Sequence, residues 1–183
     1  ALPTLADAAQ ALALDSIRDA ASLEKFLHGY REQILRPLEL PAILAAHQHA
    51  ARNELRELIA LDNALFHEAR LKEFRTASLA VGRRQLAKLR PLRDQRFVQR
   101  YLRAVEDGEA HGWHTLVFGV FLAQYSLPLR QGLLLYSHRT LGGFLASASG
   151  ALQLELAPSE DIFTAATEPL SPAVNELLAP VSL

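Results

Sequence analysis

The chain has no cysteine and no methionine, a single tryptophan, and an aromatic share of 7%. Without cysteine there are no disulfides, no thiolate metal sites and no cysteine nucleophile. Aromatic and β-branched residues give way to alanine and leucine, which favour helix over strand. No run bounded by hairpin turn residues reads as a strand. The net charge of −1 gives no overall field toward nucleic acid or a membrane surface. No basic-then-apolar leader opens the residues at hand, so a cytoplasmic location is expected. Local catalytic signatures are missing too: G-x-S-x-G, H-E-x-x-H, G-x-x-x-x-G-K-[ST] and G-x-G-x-x-G do not occur. The expectation is a protein that is not an enzyme and carries no cofactor.

Half the residues are hydrophobic, enough for one well-buried core in 183 residues. The reading is all-α: a single-domain helical bundle, 1–183, built round a buried helical hairpin. That hairpin lies in the stretch from Trp113 to Leu156, whose formal charges are Arg130, Arg139 and Glu155 alone. A helix apolar on all sides is a buried helix. Ser126-Leu127-Pro128 divides it into helices over about 114–125 and 128–149, since proline suits a first turn better than an interior. Neither half offers the roughly 20 consecutive apolar residues of a membrane span.

Other helices follow from periodicity. Leu5–Ile17 is helical in composition. Leu23, Phe26, Leu27, Tyr30 and Ile34 form one apolar face, with Ser22 as N-cap and Arg36-Pro37 as the stop. Leu38-Glu39-Leu40-Pro41 reads as a linker. Asp62 falls on an apolar stripe, either as a boundary or capping residue or as a buried partner for an arginine. Gly82 inside a helix costs about 1 kcal/mol against alanine, which a close helix contact or a kink explains. Asp94–Val105 is a further helix ended by Asp107-Gly108, and Ser159 caps another.

His47 and His49 point apart on a helix, whereas His111 and His114 are three residues apart. Surface or capping roles are expected for them rather than a metal site. From Arg70 to Arg103 the chain holds eleven cations against Glu73 and Asp94; after Arg139 it holds acids only. Such asymmetry points to contact between the two regions or to charged partners. Phe97 and Tyr101 read as core, so no stacking surface for nucleic acid is expected.

The run E-x-R-x-A-S-x-x-x-G-R-R-x-L from Glu73 to Leu86 resembles the central helix of UreF, the urease accessory protein family. Similar too are His114 to Leu129, H-x-x-x-x-G-V followed by L-P-L, then Tyr136. The motif positions are Glu73, Arg75, Ser78, Gly82, His114 and Gly119. Ser22-Leu23, Phe26-Leu27 and the 38–41 linker fall in matching places, so the likeness runs from about Ile17 to Leu145. It departs after Leu2-Pro3-Thr4, and again at Ala151–Pro158, which reads ALQLELAP. The resemblance implies an all-helical, dimerising, non-enzymatic chaperone that joins UreD (UreH) and the GTPase UreG in delivering nickel to apo-urease. Candidate partner-binding residues are Arg75, Arg83, Arg84 and Arg90. Arg75 is expected to be structural, pairing with acids such as Asp62 or Glu160–Asp161, while Arg83 and Arg84 face solvent. Gly132, Tyr136, Gly142 and Gly143 are candidates for helix packing or a two-fold contact. Other classes stay open: a helical chaperone for another enzyme, with an open apolar groove, or a ligand-binding protein with a cavity lined by Phe118, Phe121 and Tyr136.

Overall fold

The computed structural model describes residues 5–91, 95–152 and 156–179. Among them are ten α-helices and no strand, so the fold is all-α. The readings placed on Leu2–Thr4, on the helix start at Asp94 and on the side chains of the ALQLELAP stretch lie outside the described residues.

The chain divides into two compact units. The first, Glu39–Leu129, contains α3 (Leu40–Ala51), α4 (Leu55–His67), α5 (Arg75–Lys88), α6 (Arg96–Glu106) and α7 (His114–Gln124). Its axis is α7, which packs along α3 and against α5, while α4 packs on α3 and α6. Leu116, Val117, Val120 and Leu122 of α7 are at most 2% exposed. Each such buried side chain contributes roughly 1.5–3 kcal/mol relative to exposure. Gly119 lets α3 approach: a Cβ there would lie 2.5 Å from the Ile43 carbonyl oxygen and 2.8 Å from Ala46 Cβ.

The second unit draws on Thr4–Leu38 and Arg130–Leu183. It contains α1 (Leu5–Ala11), α2 (Ala20–Tyr30), α8 (Leu129–Leu152), α9 (Leu156–Thr167) and α10 (Leu170–Leu178), with α2 packed on α9. The predicted stripe of α2 is buried, and Phe26 and Tyr30 meet the Phe144 ring edge-on at 5.2 and 4.7 Å.

Several sequence expectations change. Helix α1 stops at Ala11 rather than Ile17, and Ala13 takes a left-handed φ of 53°. Asp19, not Ser22, caps α2. Its Oδ1 accepts from Ser22 N–H at 2.8 Å, and the Ser22 hydroxyl accepts from Asp19 N–H at 3.0 Å. This is a capping box with serine in the glutamate position. The Ser22 hydroxyl, which donates to Oδ1 at 2.6 Å, and then the Ser22 N–H hold the Asp19 carboxyl below its ordinary range. Pro37 does not end the helix. The backbone widens into a π-helix over Arg31–Glu39, then runs into α3, so 38–41 is not a linker. A proline lacks the N–H of the α-helical ladder and crowds the preceding turn; wider π spacing relieves both. Ser159 lies inside α9, with its Oγ 3.3 Å from Ser149 Oγ, rather than at its cap.

Burial across the expected hairpin is uneven. Its first helix is the centre of one unit. The second, α8, buries Leu133, Tyr136, Ser137, Leu141 and Ala148 but leaves Leu135 46% exposed. The break between them, where Ser126 has φ 51°, falls close to the boundary of the two units.

Candidate functional site

Four of the six motif positions meet at one joint in the first unit. Helix α6 ends at Glu106 with Asp107 as its C-cap, and Gly108 (φ 79°) takes the left-handed position that ends helices. Glu109 and Ala110 N–H return to the Ala104 carbonyl at 2.8 and 3.1 Å. The chain then passes His111, Gly112 and the buried Trp113 into α7.

Helix α5 makes the bed for this loop. A Cβ on Gly82 would lie 2.1 Å from the Gly112 carbonyl oxygen, 2.7 Å from His114 N and 2.8 Å from Trp113 C. The close approach expected for Gly82 is therefore made with the loop backbone and the first residue of α7. One turn earlier the Ser78 hydroxyl accepts from His114 N–H at 3.2 Å. Arg83 Nε donates to the His111 carbonyl at 2.8 Å. Spacing of four along α5 thus puts Ser78 and Gly82 under the first residue of α7.

Asp62 holds the loop from the other side. It is fully buried, and its Oδ2 accepts from Tyr101 Oη at 2.7 Å, His111 N–H at 3.0 Å and Gly112 N–H at 2.9 Å. This corrects both sequence readings, since Asp62 neither caps a helix nor pairs with an arginine. Burial, and then the Asp62 charge and hydrogen bond, push the Tyr101 hydroxyl well above its ordinary pKa. The His111 ring stacks on Phe66 at 3.7 Å and 10°, with its Nε2 3.2 Å from Asn63 Oδ1. The half-buried Arg75 guanidinium lies over the Phe66 ring, 4.4 Å from its centroid. That cation–π contact replaces the ion pair expected for Arg75. No described acid forms an ion pair with Arg75 or Arg83.

The two histidines sit in different surroundings. His111 is held by its stack, and burial depresses its pKa. His114 is more deeply enclosed, and burial brings it down to about 4. Among the described residues no three His, Asp or Glu groups converge where they could hold a metal ion. No described helix is long and apolar enough to cross a membrane.

Other predicted residues fall elsewhere. Arg83, Arg84 and Arg90 are exposed, and Arg90 pairs with Glu106. Glu73 is exposed in the turn before α5. In the second unit Gly132 and Tyr136 are buried, a Cβ on Gly142 would lie 3.4 Å from the Phe163 ring, and a Cβ on Gly143 would meet nothing within 4 Å. Phe121 is 37% exposed, not turned into a cavity. Phe97 and Tyr101 are buried, as their spacing predicts.

One buried charge carried no signal in the sequence reading. Arg31, 6% exposed, donates from Nη1 to the carbonyls of Ala166 at 2.9 Å and Ala165 at 3.3 Å. These carbonyls close α9, where a cation is favoured by the helix dipole. Arg31 also pairs with Glu32 at 2.8 Å. Its position at i+4 from the stripe residue Leu27 was the available clue.

The UreF family model matches residues 17–154, more than half of the chain. No curated protein matches it.

Proposed function

Because the chain belongs to the UreF family of urease accessory proteins, we propose that it is a non-enzymatic maturation chaperone for the nickel centre of urease. In this reading the whole chain, 1–183, works as one UreF-like domain in the cytoplasm, as a homodimer. It binds UreD (UreH), UreG and apo-urease, and it modulates UreG as that GTPase passes nickel, the cargo, to the enzyme. The observation that carries the reading is the joint at Gly82. Motif positions Arg75, Ser78, Gly82 and His114 build one rigid loop bed, and the same helix turns Arg83 and Arg84 to solvent. A protein that biases a partner needs a fixed surface of this kind rather than a reacting group. The exposed arginines offer forked donors to carboxylates on a partner.

The test exchanges Arg83→Glu with Arg84→Glu. We expect co-purification with UreG and UreD to weaken and urease activation in cells to fall. The denaturation free energy should drop only slightly, by the one exposed Arg83–His111 hydrogen bond, about 1–2 kcal/mol. Activation equal to wild type would defeat the proposed role. A large loss of stability would return both arginines to the fold.

A further inference from the structure

The packing of α5 against α6 leaves a groove of about 250 Å³ in the first unit. Its floor is aliphatic, with Ala87, Leu102 and Val105, and its rim carries Arg83, Arg90 and Glu106. The Arg90–Glu106 ion pair joins the turn after α5 to the end of α6. The same two helices carry further cations. Arg84 and Lys88 are one turn apart on α5, and Arg96, Arg100 and Arg103 fall at i, i+4 and i+7 on α6. All five are exposed, and none has an ion-pair partner among the described residues.

We propose that this groove receives an acidic segment of a partner protein, with one apolar side chain on the aliphatic floor and carboxylates on Arg83 and Arg90 of its rim. The inference deepens the accessory-protein reading and rests on it for the partner being a protein. Three observations select this occupant. The rim carries two arginines to one glutamate, and both helices bear further exposed cations with no ion-pair partner among the described residues, so the complementary surface is acidic. The floor is apolar, so charge alone does not fill it. Arg90 is already held by a carboxylate, Glu106, in an exposed pair of the weak kind that an incoming carboxylate can replace. A nucleic acid would use stacking rings, but Phe97 and Tyr101 of α6 are both buried and no ring lines the groove.

The probe is a short fluorescent peptide of glutamate and alanine with one central leucine, titrated against the full chain by anisotropy at low salt. Three comparison probes are the same peptide with the leucine replaced by alanine, one with lysine for glutamate, and a thymidine oligonucleotide. We expect the acidic leucine peptide to bind best and to weaken as salt screens the charges. Ala87→Trp fills the groove from an exposed helix position and should weaken binding by roughly tenfold or more, about 1.4 kcal/mol. Glu106→Gln releases Arg90 and should strengthen binding severalfold. Thermal melts report whether each variant folds, and the Glu106→Gln arm decides if Ala87→Trp does not. The proposal is overturned if the peptide fails to bind, if binding ignores Glu106→Gln, or if the oligonucleotide binds more tightly. Peptide binding by a chain that does not support urease activation would defeat the accessory reading and leave the groove standing. Activation by a chain that binds no acidic peptide would do the reverse.

Discussion

Two buried charges, Asp62 in the first unit and Arg31 in the second, are held in opposite ways. In the first, Asp62 gathers donors: two backbone N–H groups of the loop before α7, and the Tyr101 hydroxyl. In the second, Arg31 gathers acceptors, the carbonyls that close α9. A loop that turns with its N–H groups inward needs an anion, and a helix C-terminus needs a cation. The lesson is that a buried side-chain charge need not seek a side chain of opposite sign. Backbone groups left over at a joint supply partners for it, alongside Tyr101 at Asp62 and Glu32 at Arg31, and they are invisible in a list of charged residues. The glycines differ in parallel. Gly82 and Gly119 of the first unit are places where backbone touches backbone, while Gly143 of the second faces open space.

The comparison can be broken most sharply at Asp62. Asp62→Ala leaves a phenol and two N–H groups buried without their acceptor, and each costs about 1–3 kcal/mol. A loss of about 3–5 kcal/mol in chemical denaturation is expected. Arg31→Ala should cost less, about 1–3 kcal/mol, because the freed carbonyls end a helix and keep a second lone pair for water. Equal losses would show that the two joints are alike.

Next comes Gly82→Ala. Backbone at 2.1 Å cannot yield as a flexible side chain would. Overpacking of this kind costs about 1–3 kcal/mol or more, against about 1 kcal/mol regained in helix propensity. A net loss of about 2 kcal/mol is expected, with greater protease access to the loop. A neutral result would mean that α7 slides freely over α5.

The third test is pH. Burial lowers His114 from 6.5 to about 4 in the folded chain. The unfolded chain therefore takes up its proton at higher pH. The stability held by the neutral ring is complete above about 6.5 and is lost as pH falls toward about 4, to a total of up to about 3 kcal/mol. His114→Asn should flatten the fall in denaturation free energy over that window. An unchanged slope would assign the fall to other groups. His47 and His111, also depressed by burial, act in the same direction.

The smallest effect is expected at Gly143→Ala. With nothing within 4 Å, the added methyl only restricts the unfolded chain and favours helix, so stability should rise by about 0.5–1 kcal/mol. Destabilisation in a concentration-dependent assay would instead place this face of α8 in a contact between copies.

Much of the site was legible in the sequence, but only as oddities. Asp62 stood out as an acid on an apolar stripe, and Gly82 as a glycine inside a helix. What each met was not legible, because Asp62 and His111 lie 49 residues apart. Arg75 was read as structural and is half-buried, yet its partner is the Phe66 ring rather than an acid. Arg83 was read as a surface residue and is exposed, yet its Nε also ties down the loop. The cap of α2 was missed by three residues because Ser22 serves equally well as the far half of a capping box.

Composition and periodicity alone made this an all-α chain: leucine and alanine in place of strand formers, apolar faces at helical spacing, and an uncharged α7 that must be buried. Those properties depend on neighbours within one or two turns, so local order encodes them. The tertiary structure alone decided that Pro37 would be crossed by a π-helix, that α7 and α8 would serve different units, and that Asp62, Gly82 and Ser78 would converge on one loop. Such outcomes depend on which backbone groups remain unpaired once the helices have packed. That remainder exists only when distant segments have been brought together.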